Sequence, residues 1–134
     1  MKKLLFLLLL VSCASVPKVL FESGATFSVE LAKTNEEKSK GLMFREQMPA
    51  EHGMLFLFEG ESPKTFWMKN TLLPLDMIFI SADLAVVEIK ANVQPCKEDP
   101  CPTYESRPAK YVLEINGGVA EEKNIRVGDK ITLK

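Results

Sequence analysis

The chain has 134 residues, 46% of them apolar and 26% charged, with a formal net charge of −1. This fits one small domain around a single core and excludes multidomain machines, collagen-like repeats and wholly disordered chains. With no basic run and no arginine–aromatic stripe, the chain has no electrostatic footprint for nucleic acid, and no DNA or RNA partner is expected.

At the N-terminus, Lys2 and Lys3 precede an apolar run from Leu4 to Val11, followed by Ser12 and Cys13. A positive region, a short apolar stretch and a small residue before cysteine form an export signal. The run is well short of the roughly 20 residues needed to span a membrane, so residues 1–12 are expected to be removed. Leu10-Val11-Ser12-Cys13 resembles the bacterial lipoprotein box. The resemblance implies acylation of Cys13, including palmitate-type chains, and the lipid bilayer as a partner, because several acyl chains hold stably where one does not. An ordinary signal peptide with an incidental Cys13 is the alternative. Ala14 stands where aspartate would indicate inner-membrane retention by analogy with enterobacterial lipoproteins, so the outer membrane, facing the periplasm, is the expected destination. Processing removes two lysines and no acid, taking the formal charge from −1 to −3. Residues 13–23 are expected to form the lipidated cysteine and a short tether, and 24–134 a single β-rich domain.

Phe27, Val29 and Leu31 alternate with polar neighbours, so 26–32 reads as a half-buried strand, with a further strand conceivable at 19–22. Thr34 and Glu37 have the spacing of a capping box before a short helix over 35–43. Met54-Leu55-Phe56-Leu57-Phe58 reads as a core strand. Gly60 and Pro63 mark a turn before Thr65 to Met68, Asn70-Thr71 breaks that run, and Asp76 to Ile80 is β-rich, with Pro74 opposing a central-strand role early in that segment. Leu84–Val93 reads as the longest strand, residues 94–109 as a proline-rich loop, 111–116 as another strand, 119–124 as a helical turn or two, and 131–133 as a final strand. With no helical crossovers expected between strands, the fold class is mainly β. The expected architecture is a small antiparallel barrel or sandwich of about six to eight short strands with one or two short helices.

Cys96 and Cys101 are separated by four residues, a spacing that lets a turn bring the sulfurs together. In an oxidising envelope the expected outcome is a local disulfide. Zinc binding would need further ligands, and a thioredoxin-type pair would have two intervening residues.

Five separated segments then resemble a known family: Gly41-Leu42-Met43-Phe44-Arg45, Gly53-Met54-Leu55-Phe56, Phe66-Trp67-Met68-Lys69-Asn70-Thr71, Pro74-Leu75-Asp76-Met77-Ile78-Phe79 and Val112-Leu113-Glu114-Ile115-Asn116-Gly117-Gly118. In order and spacing, residues 24–134 look like the uncharacterised bacterial and archaeal proteins called domain of unknown function 192. The resemblance implies a β-rich single domain, often exported or lipid-anchored. It implies no enzyme activity and no role for the Cys96–Cys101 loop.

Polar residues inside apolar runs are the candidates for chemistry. Arg45, Trp67, Lys69, Asn70, Thr71, Asp76 and Asn116, with Glu114 in the same motif as Asn116, are expected to line a ligand pocket. There Trp67 packs on the ligand, Arg45 or Lys69 holds an anion, and the others orient polar atoms. Asp76 capping backbone amides or pairing with Arg45, and Trp67 filling the core, form the competing structural reading. The function expected is a non-catalytic, membrane-anchored envelope module binding a small molecule, glycan or envelope protein, with no cofactor and no metal. Two alternatives remain. One is a hydrolase-like enzyme with Asp76 and Glu88 or Glu114 as paired carboxylates; His52 alone has no nucleophile context. The other is copper handling by Met43, Met48, Met54, Met68 and Met77 with His52.

Overall fold

Period-two alternation governs the molecule, and it places apolar side chains on both faces of one sheet. The computed structural model describes residues 12–134, so the export signal expected over 1–12 lies, but for Ser12, outside the described residues. Nine strands and two short helices occur among them: β1 (Lys18–Phe21), β2 (Thr26–Ala32), α1 (Asn35–Lys40), β3 (His52–Ser62), β4 (Thr65–Trp67), β5 (Leu75–Ile80), β6 (Val86–Val93), β7 (Thr103–Glu105), β8 (Ala109–Asn116), α2 (Val119–Glu122) and β9 (Ile131–Leu133). Seven strands form one sheet in the order β6-β5-β8-β3-β2-β1-β9, and β4 pairs with β7 in a second, small sheet.

The large sheet curls into a half-barrel. Its two ends approach each other through an Ala85–Lys130 bridge and hydrogen bonds joining Val86 to Asp129 and Ile131 to Leu84. The curl encloses Val19, Phe27, Val29, Leu55, Ile78, Leu113 and Ile115, with Val119 and Ala120 of α2 packed among them. On the outer face a second cluster gathers Leu42, Met48, Met54, Phe56, Met68, Met77, Phe79 and Val112.

The mainly β expectation holds, with four corrections of detail. First, β2 and β3 pair in parallel, so the sheet is mixed rather than purely antiparallel. A parallel pair needs a crossover of a dozen or more residues, and residues 33–51, with α1, supply it. Second, β1 is hydrogen-bonded to both β2 and β9, so Lys18–Phe21 belongs to the sheet and the tether expected over 13–23 is shorter. Third, α1 stops at Lys40 rather than at 43. Thr34 caps its start as expected, but Gly41 adopts φ 47°, and a Cβ there would lie 3.2 Å from the Phe56 ring, so the chain turns away at a residue that tolerates both. Fourth, the longest strand is β3, with 11 residues, not 84–93, where Leu84 at φ 63° belongs to the preceding turn and β6 starts at Val86.

Asp76 shows how the strands are locked to their connections. Between Leu75↔Val93 and Met77↔Lys90 the β5–β6 ladder shifts register, and Ala91 and Asn92 bulge opposite Asp76. The fully buried Asp76 carboxylate accepts from the backbone N–H groups of Asn92 (2.7 Å), Gly118 (3.0 Å) and Ala120 (2.8 Å). It thereby ties the bulge to the start of α2. Asp76→Ala leaves three donors without acceptors, each costing about 1–3 kcal/mol when buried. Urea unfolding should show a loss of about 3 kcal/mol or more, with Asp76→Asn milder because it keeps one acceptor oxygen. An unchanged midpoint for Asp76→Ala would contradict this role.

Candidate functional site

A cleft of about 590 Å³ opens between α1 with its following turn, β4 and the outer face of the sheet. Its apolar walls come from strand parity. Phe56 and Phe58 occupy alternate positions of β3, and Phe66 of β4 sets its ring edge-to-face against them at 5.2 and 6.4 Å, and against Phe79 at 6.0 Å. Leu42 and Met43 close one side, and Trp67, 45% exposed, stands at the mouth.

Glu114 lies in this cleft. Across the sheet it is the direct neighbour of Met54 on β3 and Met77 on β5, so thioethers flank it on both sides. The residue is only 5% exposed, and burial pushes its carboxyl up to about 8; at neutral pH the group is a neutral acid. Every sealed side-chain nitrogen or oxygen among the described residues has a hydrogen-bond partner. Glu114 makes no side-chain hydrogen bond there, so its residual exposure is through the cleft that it lines.

Two cations flank the other end. The ammonium groups of Lys38 and Lys64 each lie 4.5 Å from the centre of the Phe58 ring. Lys38 donates to the Leu57 carbonyl (3.1 Å), and Lys64 to the Gly60 carbonyl (3.0 Å) and the Ser62 hydroxyl (2.7 Å). All three acceptors are neutral. Lys64 is only 8% exposed, and burial first, then the charge of Lys38, lowers its pKa.

Of the residues expected to form the pocket, Trp67 and Thr71 line this cleft. Lys69 stacks over Trp67 at 5.3 Å and approaches Asp99 at 3.8 Å. Asn70, at φ 53°, forms the turn and accepts at its carbonyl from Phe44 N–H at 2.8 Å. Arg45 grips Glu30 through both guanidinium nitrogens, and His52 shares that carboxylate at 2.8 Å. The hydrogen bonds from Arg45 hold Glu30 down at about 2 against the effect of burial, with His52 contributing less. Asn116 donates to the Met48 carbonyl at 2.6 Å. Arg45, Asn70 and Asn116 thus pin the 41–51 segment over the sheet, and Asp76 faces the other side altogether.

The paired carboxylates are not assembled either. Asp76 pairs in register with Ile115 and Met77 with Glu114, so the two acids point to opposite faces, and Glu88 bonds instead to Lys90 and Arg107 N–H. Met48, Met54, Met68 and Met77 are buried in the outer cluster, which packing explains. Cys96 and Cys101 are joined in the expected disulfide, with Cα atoms 5.6 Å apart. The lining residues that the sequence does not single out include Lys38, Phe56, Phe58, Lys64 and Phe66, whereas Glu114 is among the polar residues within apolar runs that it does. The available signal for Glu114 was an acid inside the buried run Val112–Ile115.

The family model DUF192, described as Uncharacterized ACR, COG1430, matches residues 18–133. The chain is similar to a protein of unknown function from Novosphingobium aromaticivorans DSM 12444, with 42% identity over 87% of this chain and 83% of that one, and a TM-score of 0.78. It is also similar to a Sinorhizobium meliloti 1021 protein bearing the name "putative transcription regulator", with 38% identity over 87% of this chain and 91% of that one, and a TM-score of 0.78. No curated protein matches the chain.

The buried acid makes stability depend on pH. Folded, Glu114 keeps its proton up to about pH 8, whereas unfolded it releases it near the ordinary value of 4.5. Between those values the native state binds more protons, so stability falls as pH rises from 5 to 8, by roughly 1 kcal/mol per unit. Glu30 acts below this window, its contribution being present above 4.5 and lost as pH falls towards 2. Urea unfolding at pH 5, 6, 7 and 8 should show a descending profile that Glu114→Gln flattens. Parallel profiles for the two proteins would remove Glu114 as the cause.

Proposed function

This chain belongs to the DUF192 family, and from that footing we propose that it is a membrane-anchored envelope lipoprotein whose domain serves as a non-catalytic binding module for a small molecule. The cleft carries this reading. Its volume is in the range that small ligands occupy, its walls are aromatic and aliphatic, and a few polar groups converge on it. Glu114 supports the same reading, because this buried acid makes no side-chain hydrogen bond among the described residues and lines the cleft. Binding is favoured over catalysis because Glu114 stands apart from Asp76, and His52 is engaged with Glu30. The name of the Sinorhizobium relative does not redirect this, since the chain's formal charge of −1 and lack of a basic run give DNA nothing to hold. The envelope assignment rests on Lys2, Lys3, the apolar run and Leu10-Val11-Ser12-Cys13.

Trp67, the single tryptophan, reports on the cleft mouth. Titrating the full chain with the uncharged fluorophore N-phenyl-1-naphthylamine should quench Trp67 emission saturably, with a dissociation constant on the order of 10 μM. Ser39→Phe and Thr65→Phe, at exposed positions lining the cleft, should weaken binding at least tenfold without lowering stability. Linear, non-saturating quenching that these changes leave alone would refute the binding reading. For the anchor, Cys13→Ala should move the chain from the membrane to the soluble fraction of a bacterial host and abolish labelling by radioactive palmitate. Persistent membrane association with no label in the unaltered chain would refute lipidation.

A further inference from the structure

We propose that the cleft selects a small organic anion with an apolar body, seating its anionic group between Lys38 and Lys64 and its body along Phe56, Phe58 and Phe66. The proposal rests on the reading of the cleft as a binding site and adds the chemical class of the occupant.

Charge complementarity carries it. Lys64 is a nearly buried cation whose acceptors, the Gly60 carbonyl and the Ser62 hydroxyl, are both neutral. Buried charges are ordinarily paired. Lys38 brings a second ammonium to the same aromatic ring, and neither lysine makes an ion pair among the described residues. An anion placed between them would neutralise both and relieve their mutual repulsion. Phe58 adds a cation–π contact to each and holds the two charges beside the apolar wall.

The strand supplies a ruler for the rest of the ligand. Glu114 sits level with Met54 on β3, and Phe58 lies four residues further along the same strand, about 13 Å at the usual rise per residue. The occupant therefore places its charge near Phe58 and directs its apolar body towards a neutral acid flanked by Met54 and Met77. A cationic ligand is disfavoured at both ends. It would pass Lys38, Lys40 and Lys64, all of which line the cleft, and it would reach an acid that burial keeps protonated. An aromatic acid and a short fatty acid share the required chemistry.

The test is a matched set of probes titrated into the full chain, read by Trp67 emission. 1-Anilinonaphthalene-8-sulfonate carries the same rings as N-phenyl-1-naphthylamine plus an anionic group, and decanoate and decylamine form a second pair on an alkyl body. The anionic member of each pair should bind at least tenfold more tightly than its counterpart. A stronger preference within the naphthalene pair indicates an aromatic acid as the source, and within the decyl pair a lipid-derived one. Lys38→Met and Lys64→Met should each erase most of the anion preference while sparing the uncharged fluorophore, and Lys97→Met, at an exposed position that does not line the cleft, should not. Because Lys64 is buried, Lys38→Met on the surface helix keeps the test decisive if Lys64→Met unfolds. Equal affinities within each pair, or preference for decylamine, would overturn the anion assignment while leaving the cleft a binding site. Failure of every probe to bind saturably would overturn the binding reading itself.

Discussion

A sheet that is apolar on both faces must be covered twice, and the rest of this molecule follows from that constraint. All six residues of β5 are buried, which only a strand packed on each side allows. Curling covers one face, because the two ends of the sheet meet near Ala85 and Lys130 and enclose the inner cluster. The outer face cannot be covered in the same way. It is roofed by two separate pieces, the crossover 33–51 and the β4–β7 pair, each attached by polar contacts: Arg45 with Glu30, Asn116 with Met48, and Lys64 with Gly60 and Ser62 of β3. The cleft is the gap between those pieces over Phe56 and Glu114.

The two buried acids show how one sheet gives opposite environments to neighbouring strands. Asp76 and Glu114 lie on the adjacent strands β5 and β8, but their registers differ by one residue, so the pleat turns them to opposite faces. Asp76 meets three backbone N–H groups at a bulge and a helix start, a setting that consumes its acceptors. Glu114 meets thioethers and rings, with nothing to replace its water, and holds its proton instead. The first is used up in holding the fold together. The second remains available to a ligand.

That difference also explains which parts were legible in the sequence. The strands with clean alternation, β2 and β8, and the capping box of α1 were readable because their determinants are local. The disulfide was readable from spacing. The parallel β2–β3 pairing was not, since α1 is six residues long and resembles a turn more than a crossover. For the site, Trp67 and Thr71 stood out as polar or aromatic residues inside a motif, and both reached the cleft. Arg45, Asn70, Asp76 and Asn116 stood out for the same reason but serve to pin connections. A polar residue in an apolar run shows that it has a partner without showing which. Lys38 and Lys64 were unreadable, because each looks like an ordinary surface lysine until α1 and the β3–β4 connection bring them to one ring.

The proposed anchor and the cleft constrain each other through the length of chain between them. Cys13 is five residues from Lys18, where β1 joins the sheet, and five extended residues reach at most about 17 Å. A lipid on Cys13 would therefore hold the sheet edge formed by β1 and β9 close to the bilayer rather than let the domain range through the periplasm. The body is mildly acidic, so an anionic leaflet would repel it weakly, and the tether rather than charge would set its distance. The cleft opens over the outer face of β3 and β8, with β2 between β3 and that edge. Amphiphilic anions concentrate at a membrane surface, and a cleft fixed within reach of that surface would meet them at a higher local concentration than a freely diffusing one. The proposed anchoring and the proposed binding would thus reinforce each other for an anion that suits Lys38, Lys64 and the aromatic wall.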